Sequence, residues 1–135
     1  HWERPDEDGG GTYIGSGVAH SSGTFTFPET GIYLIRFIAS INCSSNESRY
    51  AQIEIRTTLN NSSYGTAATG HQFIYRVTGT STGGTAATEF IFDVTNVSTH
   101  KVQLCSSKDD VGNHQLNGNT GGNTCMATFI RLGDT

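Results

Sequence analysis

Histidines stand inside the chain at His20, His71, His100 and His114, and cysteines at Cys43, Cys105 and Cys125. Either type can bind a metal or serve as base or nucleophile, provided that partners recur at short, fixed spacings. No Cys-x-x-Cys and no His-x-x-x-His pattern is present, so zinc finds no local framework. Gly15-Ser16-Gly17 and Gly83-Gly84 lack the lysine and the strand–turn–helix context in which glycines cradle phosphate. Lys108-Asp109-Asp110-Val111-Gly112-Asn113 is rich in oxygen donors, as a calcium loop is, but it lacks the ligand spacing and closing glutamate of the known loop; it reads as a polar turn. Asn-x-Ser sequons begin at Asn42, Asn46, Asn60, Asn61 and Asn96 and would carry glycans only in a secreted setting. The expectation is a chain without catalytic residues, without an obligatory cofactor and not an enzyme.

The elements that would have to position any such chemistry are strands. The chain has 135 residues, enough for one domain with a core of its own, and only 15% are charged. Residues 1–8 hold Glu3, Asp6, Glu7 and Asp8 against Arg4, so most of the net charge of −4 belongs to them. Residues 1–11, acidic and closed by Gly9-Gly10-Gly11, read as a flexible linker ahead of a domain over 12–135. A nearly neutral domain offers no basic face to nucleic acid. No apolar run is long enough to cross a membrane as a helix, so no membrane insertion is expected. The chain begins at His1 with no visible signal peptide, which suggests an excised or processed segment. The cysteines are an odd number; free thiols are expected, with Cys105–Cys125 the pair to consider if one bridge forms.

Apolar residues recur with period two or in short runs, and no helical stripe spans three turns. Strands are expected over Thr24–Phe27, Gly31–Ile41, Arg49–Leu59, Gln72–Val77, Thr88–Val94, Lys101–Cys105 and Cys125–Leu132. About eight strands at such intervals imply an antiparallel sandwich or barrel. Gly65-Thr66-Ala67-Ala68-Thr69 and Gly84-Thr85-Ala86-Ala87-Thr88 echo each other, but one pair of copies makes no repeat. Arg49–Leu59 alternates Ala51, Ile53, Ile55 and Leu59 with Gln52, Glu54 and Arg56, as one wet and one dry face demand. Gly31–Ile41 does not: Tyr33, Ile35, Phe37 and Ala39 form one apolar row, and Ile32, Leu34 and Ile38 form another, interrupted by Arg36. The last strand is also apolar on both sides, with Met126, Ile130 and Leu132 opposed to Ala127 and Phe129. A second partner surface is needed, and a symmetric oligomer supplies one.

The block Phe25-Thr26-Phe27-Pro28-Glu29-Thr30-Gly31-Ile32-Tyr33-Leu34-Ile35-Arg36-Phe37 resembles the strand–turn–strand signature of the C1q/TNF-like jelly rolls. Arg49–Asn61, Thr88–Leu104 and the closing Met126–Gly133 are similar to later strands of that family, so the resemblance covers roughly residues 15–133; residues 106–124 fit it poorly. The resemblance implies a jelly-roll sandwich assembled as a compact homotrimer, with the 31–41 and 125–132 strands side by side against the threefold axis. It places Ile32, Leu34, Arg36, Ile38, Ala127, Phe129 and Arg131 at the trimer interface. Tyr33, Ile35, Phe37, Met126, Ile130 and Leu132 would then fill each subunit's core. Arg36 and Arg131 near an axis would need carboxylate or carbonyl partners.

Neither a collagen-like Gly-X-Y stalk nor an anchor is present, and the Thr/Gly/Ser/Asn-rich, charge-poor chain looks more like the head of a bacteriophage fibre or capsid appendage. The function expected is to trimerise the fibre on the virion surface and to bind a host cell-surface glycan or protein. Contacts would come from loops 61–72, 79–87 and 106–124, with Tyr64, His71, Thr82, Lys108, Asp109, Asn113 and His114 as candidates. A secreted eukaryotic recognition domain and a purely structural trimerisation module are the alternatives. Calcium, or an ion held by histidines of three copies at the axis, would be the ions to consider.

Overall fold

A computed structural model of the chain describes Trp2 and residues 14–44, 50–75, 80–108, 113–119 and 122–135. Among these residues there are nine strands: β1 (Ala19–Ser21), β2 (Thr24–Thr26), β3 (Gly31–Ser44), β4 (Tyr50–Thr58), β5 (Gly65–Phe73), β6 (Thr82–Val94), β7 (Lys101–Lys108), β8 (Asn113–Leu116) and β9 (Cys125–Gly133). They form two antiparallel sheets packed as a sandwich. The first runs β1-β2-β7-β4-β5; in the second β3 lies between β6 and a far edge shared by β9 and β8.

That shared edge has a simple origin. β9 pairs with Ile32–Ala39, and β8 pairs with Ile41–Ser44. Between them Ser40 donates its N–H to Thr124 O (2.9 Å) and accepts from Asn117 N–H (2.9 Å), so the ladder does not break. β8 and β9 are thus one strand opened by an inserted loop at 117–124. The loop is Asn- and Gly-rich because its chain must leave and re-enter the sheet at one residue.

The core follows the odd positions of β3. Tyr33, Ile35, Phe37, Ala39, Ile41 and Cys43 are buried against Ala51, Ile53 and Ile55 of β4, Phe25 of β2 and Val102 of β7. Each fully buried large side chain contributes about 1.5–3 kcal/mol. Phe27 seals one end, with its ring centroid 4.5 Å from Tyr33 and 5.9 Å from Phe92. Trp2 falls within the expected linker but is half-buried, its indole edge-on to Phe25 and Phe37 at 5.8 Å each. The rest of 1–11 lies outside the described residues.

Two expected loops are strands instead. Most of 61–72 belongs to β5, and most of 79–87 belongs to β6. Their small residues hide them from a hydrophobic pattern, and the packing explains why they are small. β5 and β6 close one side of the sandwich, where a Cβ on Gly70 would lie 2.4 Å from Ala87 O. Only glycine allows that approach. Asn60 builds the β4–β5 turn: its Oδ1 accepts the N–H groups of Ser62 (3.0 Å) and Ser63 (2.9 Å), and Asn61 takes φ 56°. Leu59, expected on the core face, lies beyond the end of β4 and is 64% exposed.

Candidate functional site

Residues directly opposite in an antiparallel ladder share a face. On the outer face of the second sheet this aligns Ile91, Leu34 and Ile130 across β6, β3 and β9. Below that row stand Glu89, Arg36 and Thr128, and below those Ala87, Ile38 and Met126. Ile91, Ile130 and Leu132 are 59%, 48% and 55% exposed, whereas Ile32, Leu34 and Ile38 are half-buried by their neighbours. Arg36 is exposed directly across the ladder from Glu89. On this face the apolar row lies between the exposed Asp93, which stands across from Ile32, and the opposite charges of Arg36 and Glu89.

The outer face of the first sheet is of that polar kind. Glu54 is 5% exposed yet accepts from Arg56 Nε (2.6 Å), Gln52 Nε2 (2.5 Å), Thr66 Oγ1 (3.1 Å) and Ser107 Oγ (3.3 Å). The Arg56 hydrogen bond holds the carboxyl below the usual glutamate range despite its burial. Cys105 lies across the ladder from Glu54, and burial pushes its thiol up.

Ile32, Leu34, Arg36 and Ile38 alternate with the buried odd positions of β3 and so take its outer face. Ala127, Phe129 and Arg131 do not share their face. The register pairs them with Phe37, Ile35 and Tyr33, which places them on the core side. Phe129 packs on Phe25 (5.0 Å) and Phe27 (6.0 Å). Met126 and Ile130, expected in the core, take the outer face in their place. Leu132, also expected in the core, is left over at the irregularity between the Ile32 and Tyr33 pairings. A strand apolar on both sides carries no parity signal, and a one-residue slip exchanges its faces. Arg131 does find the partners it needs: its Nε donates to Thr30 O (3.1 Å) and lies 3.5 Å from Glu29, and its Nη2 meets Asp134 (2.5 Å). Beside it the Tyr33 hydroxyl, which donates to Glu29 O (2.9 Å), is shifted up by burial and by Glu29.

β3, β5 and β7 end, and β4, β6 and β8 begin, at one end of the sandwich. Candidate contact residues gather there. His71 pairs with Gln52, Lys108 with Ala51, Asn113 with Ser44, and both Thr82 and His114 with Cys43. All five are strand residues, and the partner of Thr82 and His114 is a buried core residue, so these two lie on the core side and not on a loop tip. Tyr64 sits at the opposite end, after the Asn60 turn. Asp109 lies outside the described residues, as does most of the calcium-like segment.

Gly79-Thr80-Ser81-Thr82-Gly83 has the Gly-x-Ser-x-Gly spacing of a nucleophile elbow, a match the composition obscures. Ser81 leads into strand β6, with no helix after it, so the structural setting of that motif is missing. His100 is stacked on Phe92 (5.6 Å) and lies within hydrogen-bonding distance of the Thr95 and Thr99 hydroxyls. No disulfide joins Cys43, Cys105 or Cys125. Among the described residues no three His, Cys, Asp or Glu side chains converge as a metal site would require, and no helix is long and apolar enough to cross a membrane. No protein-family model and no curated protein matches the chain.

Proposed function

We propose that the chain is a non-enzymatic head domain of C1q/TNF-like jelly-roll type. It forms a homotrimer through the outer face of β3, β6 and β9, and displays its loop-bearing end to a glycan or protein receptor on a host surface. The observation that carries this reading is the outward Ile91–Leu34–Ile130 row with its two exposed isoleucines, because monomers rarely leave a contiguous apolar face to water. Arg36 and Glu89 beside it give copies a complementary charge pair with which to fix their register. Two features of the topology support the jelly-roll assignment. The chain passes repeatedly between the sheets, from β2 to β3 to β4 and from β5 to β6 to β7 to β8. β9 also lies beside β3, as the resemblance implies.

The setting that fits a charge-poor, Thr/Gly/Ser/Asn-rich head with free thiols is the tip of a virion fibre or capsid appendage. Light scattering tests the assembly: a mass of about three times 14.5 kDa is expected, and a 14.5 kDa species at micromolar concentration refutes it. Competition of the purified domain with virus adsorption tests receptor binding, and a trimer that fails to compete at saturation leaves only a structural module. A secreted recognition domain is favoured instead if glycans occupy Asn61 and Asn96, both exposed in turns.

A further inference from the structure

We propose that the outer face of β4 and β5, at the loop-bearing end, is a carbohydrate-binding platform for neutral pyranosides, built on Tyr50 and Phe73. Phe73 and Tyr75 flank the buried Ile74 and are 77% and 85% exposed, so the alternation of the chain turns both rings to solvent. Tyr50 lies across the ladder from Phe73, and His71 is the next outward residue of β5. Tyr50 meets both edge-on, with ring centroids 6.5 Å from Phe73 and 5.5 Å from His71. Rings that brace one another lose little freedom when a ligand stacks on them. The next row is polar: Gln52 stands across from His71 on one side and Ser107 on the other.

A pyranose has this same division. One face carries polarised C–H groups, which suit the electron-rich face of an aromatic ring, and its rim carries hydroxyls, which suit amide, imidazole and hydroxyl groups. A lipid surface would demand a wider apolar patch without the polar row. Among the described side chains of this face, charge favours the neutral sugars. The Glu54 carboxylate is satisfied by its four donors, and Arg56 is engaged by Glu54. The inference rests on the receptor-display reading for its class of ligand, and on the β4–β5 face alone for its chemistry.

The test is saturation-transfer NMR on the intact chain with methyl β-galactopyranoside, methyl β-glucopyranoside and methyl N-acetyl-β-glucosaminide, with sialyllactose as the acidic comparator. Transfer to the ring C–H protons of at least one neutral pyranoside is expected, with affinity reduced about tenfold in Phe73→Ala and unchanged in Tyr64→Ala at the far end. Phe73 is exposed, so its removal leaves the fold intact and the loss is one of binding. No transfer from any of the three at millimolar sugar, equal binding by Phe73→Ala, or binding of sialyllactose alone overturns the platform. So does a fall in oligomer mass on Phe73→Ala, because a second copy would then be the occupant. A trimer that binds no sugar defeats this inference and leaves the assembly standing; a monomer that binds sugar does the reverse.

Discussion

Ile130→Asp is expected to dissociate the trimer without unfolding the chain. Ile130 and Ile91 flank Leu34 on the outer face and are 48% and 59% exposed. Complete burial of an isoleucine is worth about 1.5–3 kcal/mol, so about 1 kcal/mol remains to be gained at each position when another copy covers it. Over three copies these two residues alone contribute about 6 kcal/mol to assembly. An aspartate at 130 removes its half of that gain and adds a desolvation cost of several kcal/mol for each carboxylate buried without a partner. Three such charges around one axis exceed what the remaining residues supply. Within the subunit only the covered half of the side chain is lost, a cost of about 1 kcal/mol. Light scattering should therefore report 14.5 kDa for the variant and about three times that for the parent. The far-UV spectrum and the cooperativity of unfolding should persist, although melting will come earlier because assembly stabilises the folded state. Phe129→Asp is the contrasting variant: its ring packs on Phe25 and Phe27, so it should lose about 3–5 kcal/mol and unfold. The reasoning fails if Ile130→Asp keeps the parent's mass, or if Phe129→Asp remains folded while the mass drops.

Three further outcomes follow from the packing. Gly70→Ala should cost about 1–3 kcal/mol, because the new Cβ meets backbone at Ala87 O. Gly84→Ala should be close to neutral, within about 0.5 kcal/mol, since it meets only the flexible Gln72 side chain; equal melting shifts for the two would contradict the close approach of β5 to β6. The Glu54 pKa is lowered on folding, chiefly by Arg56, so its stabilisation is complete above the unfolded glutamate pKa and is lost as pH falls through the folded value. Glu54→Gln should cost about 1–3 kcal/mol at neutral pH and flatten the acid limb of stability, as read from urea midpoints; an unchanged acid limb would mean that the cluster does not hold the charge. Trp2 is the only tryptophan, so its fluorescence should be blue-shifted in the native chain and move red on unfolding. Trp2→Ala should cost about 1–3 kcal/mol for a half-buried ring, and a solvent-exposed emission maximum in the native chain would deny that contact.

What could be read in advance depended on whether a residue's type reported its face. β4 was legible because Gln52, Glu54 and Arg56 alternate with Ala51, Ile53 and Ile55, and the structure buries the second set. β3 was legible as a strand with two apolar sides, and its odd residues do form the core. β9 was legible as a strand, but its faces came out exchanged, because an apolar residue on each side leaves the register to decide and the register is a long-range property. β5 and the first half of β6 look like loops in sequence, since Gly, Thr and Ala there answer to a close approach between sheets that no local pattern records. The aromatic platform was beyond reach for the same reason. Its sequence-distant members, Tyr50 and Phe73, are joined only by the β4–β5 register, and of its three rings only His71 was singled out.

The two outer faces divide the molecule's surface chemistry, and the division bears on how a head of this kind would work. On the β4–β5–β7 face the polar groups satisfy one another around Glu54, which leaves little unspent attraction except at the exposed rings of Phe73 and Tyr75. On the β3–β6–β9 face the apolar residues exceed what the fold uses, because the core is already closed by the odd side of β3. Folding alone therefore gives no reason for Ile91 and Ile130 to be isoleucine, and threonine there would serve a solitary sandwich as well. The proposed assembly accounts for their identity, since a second copy would cover this surface. Covering it would leave the opposite sheet, and the rings at its end, facing outward on every subunit. Three weak sites held in one rigid body would then bind a many-copied surface far more tightly than any one of them could.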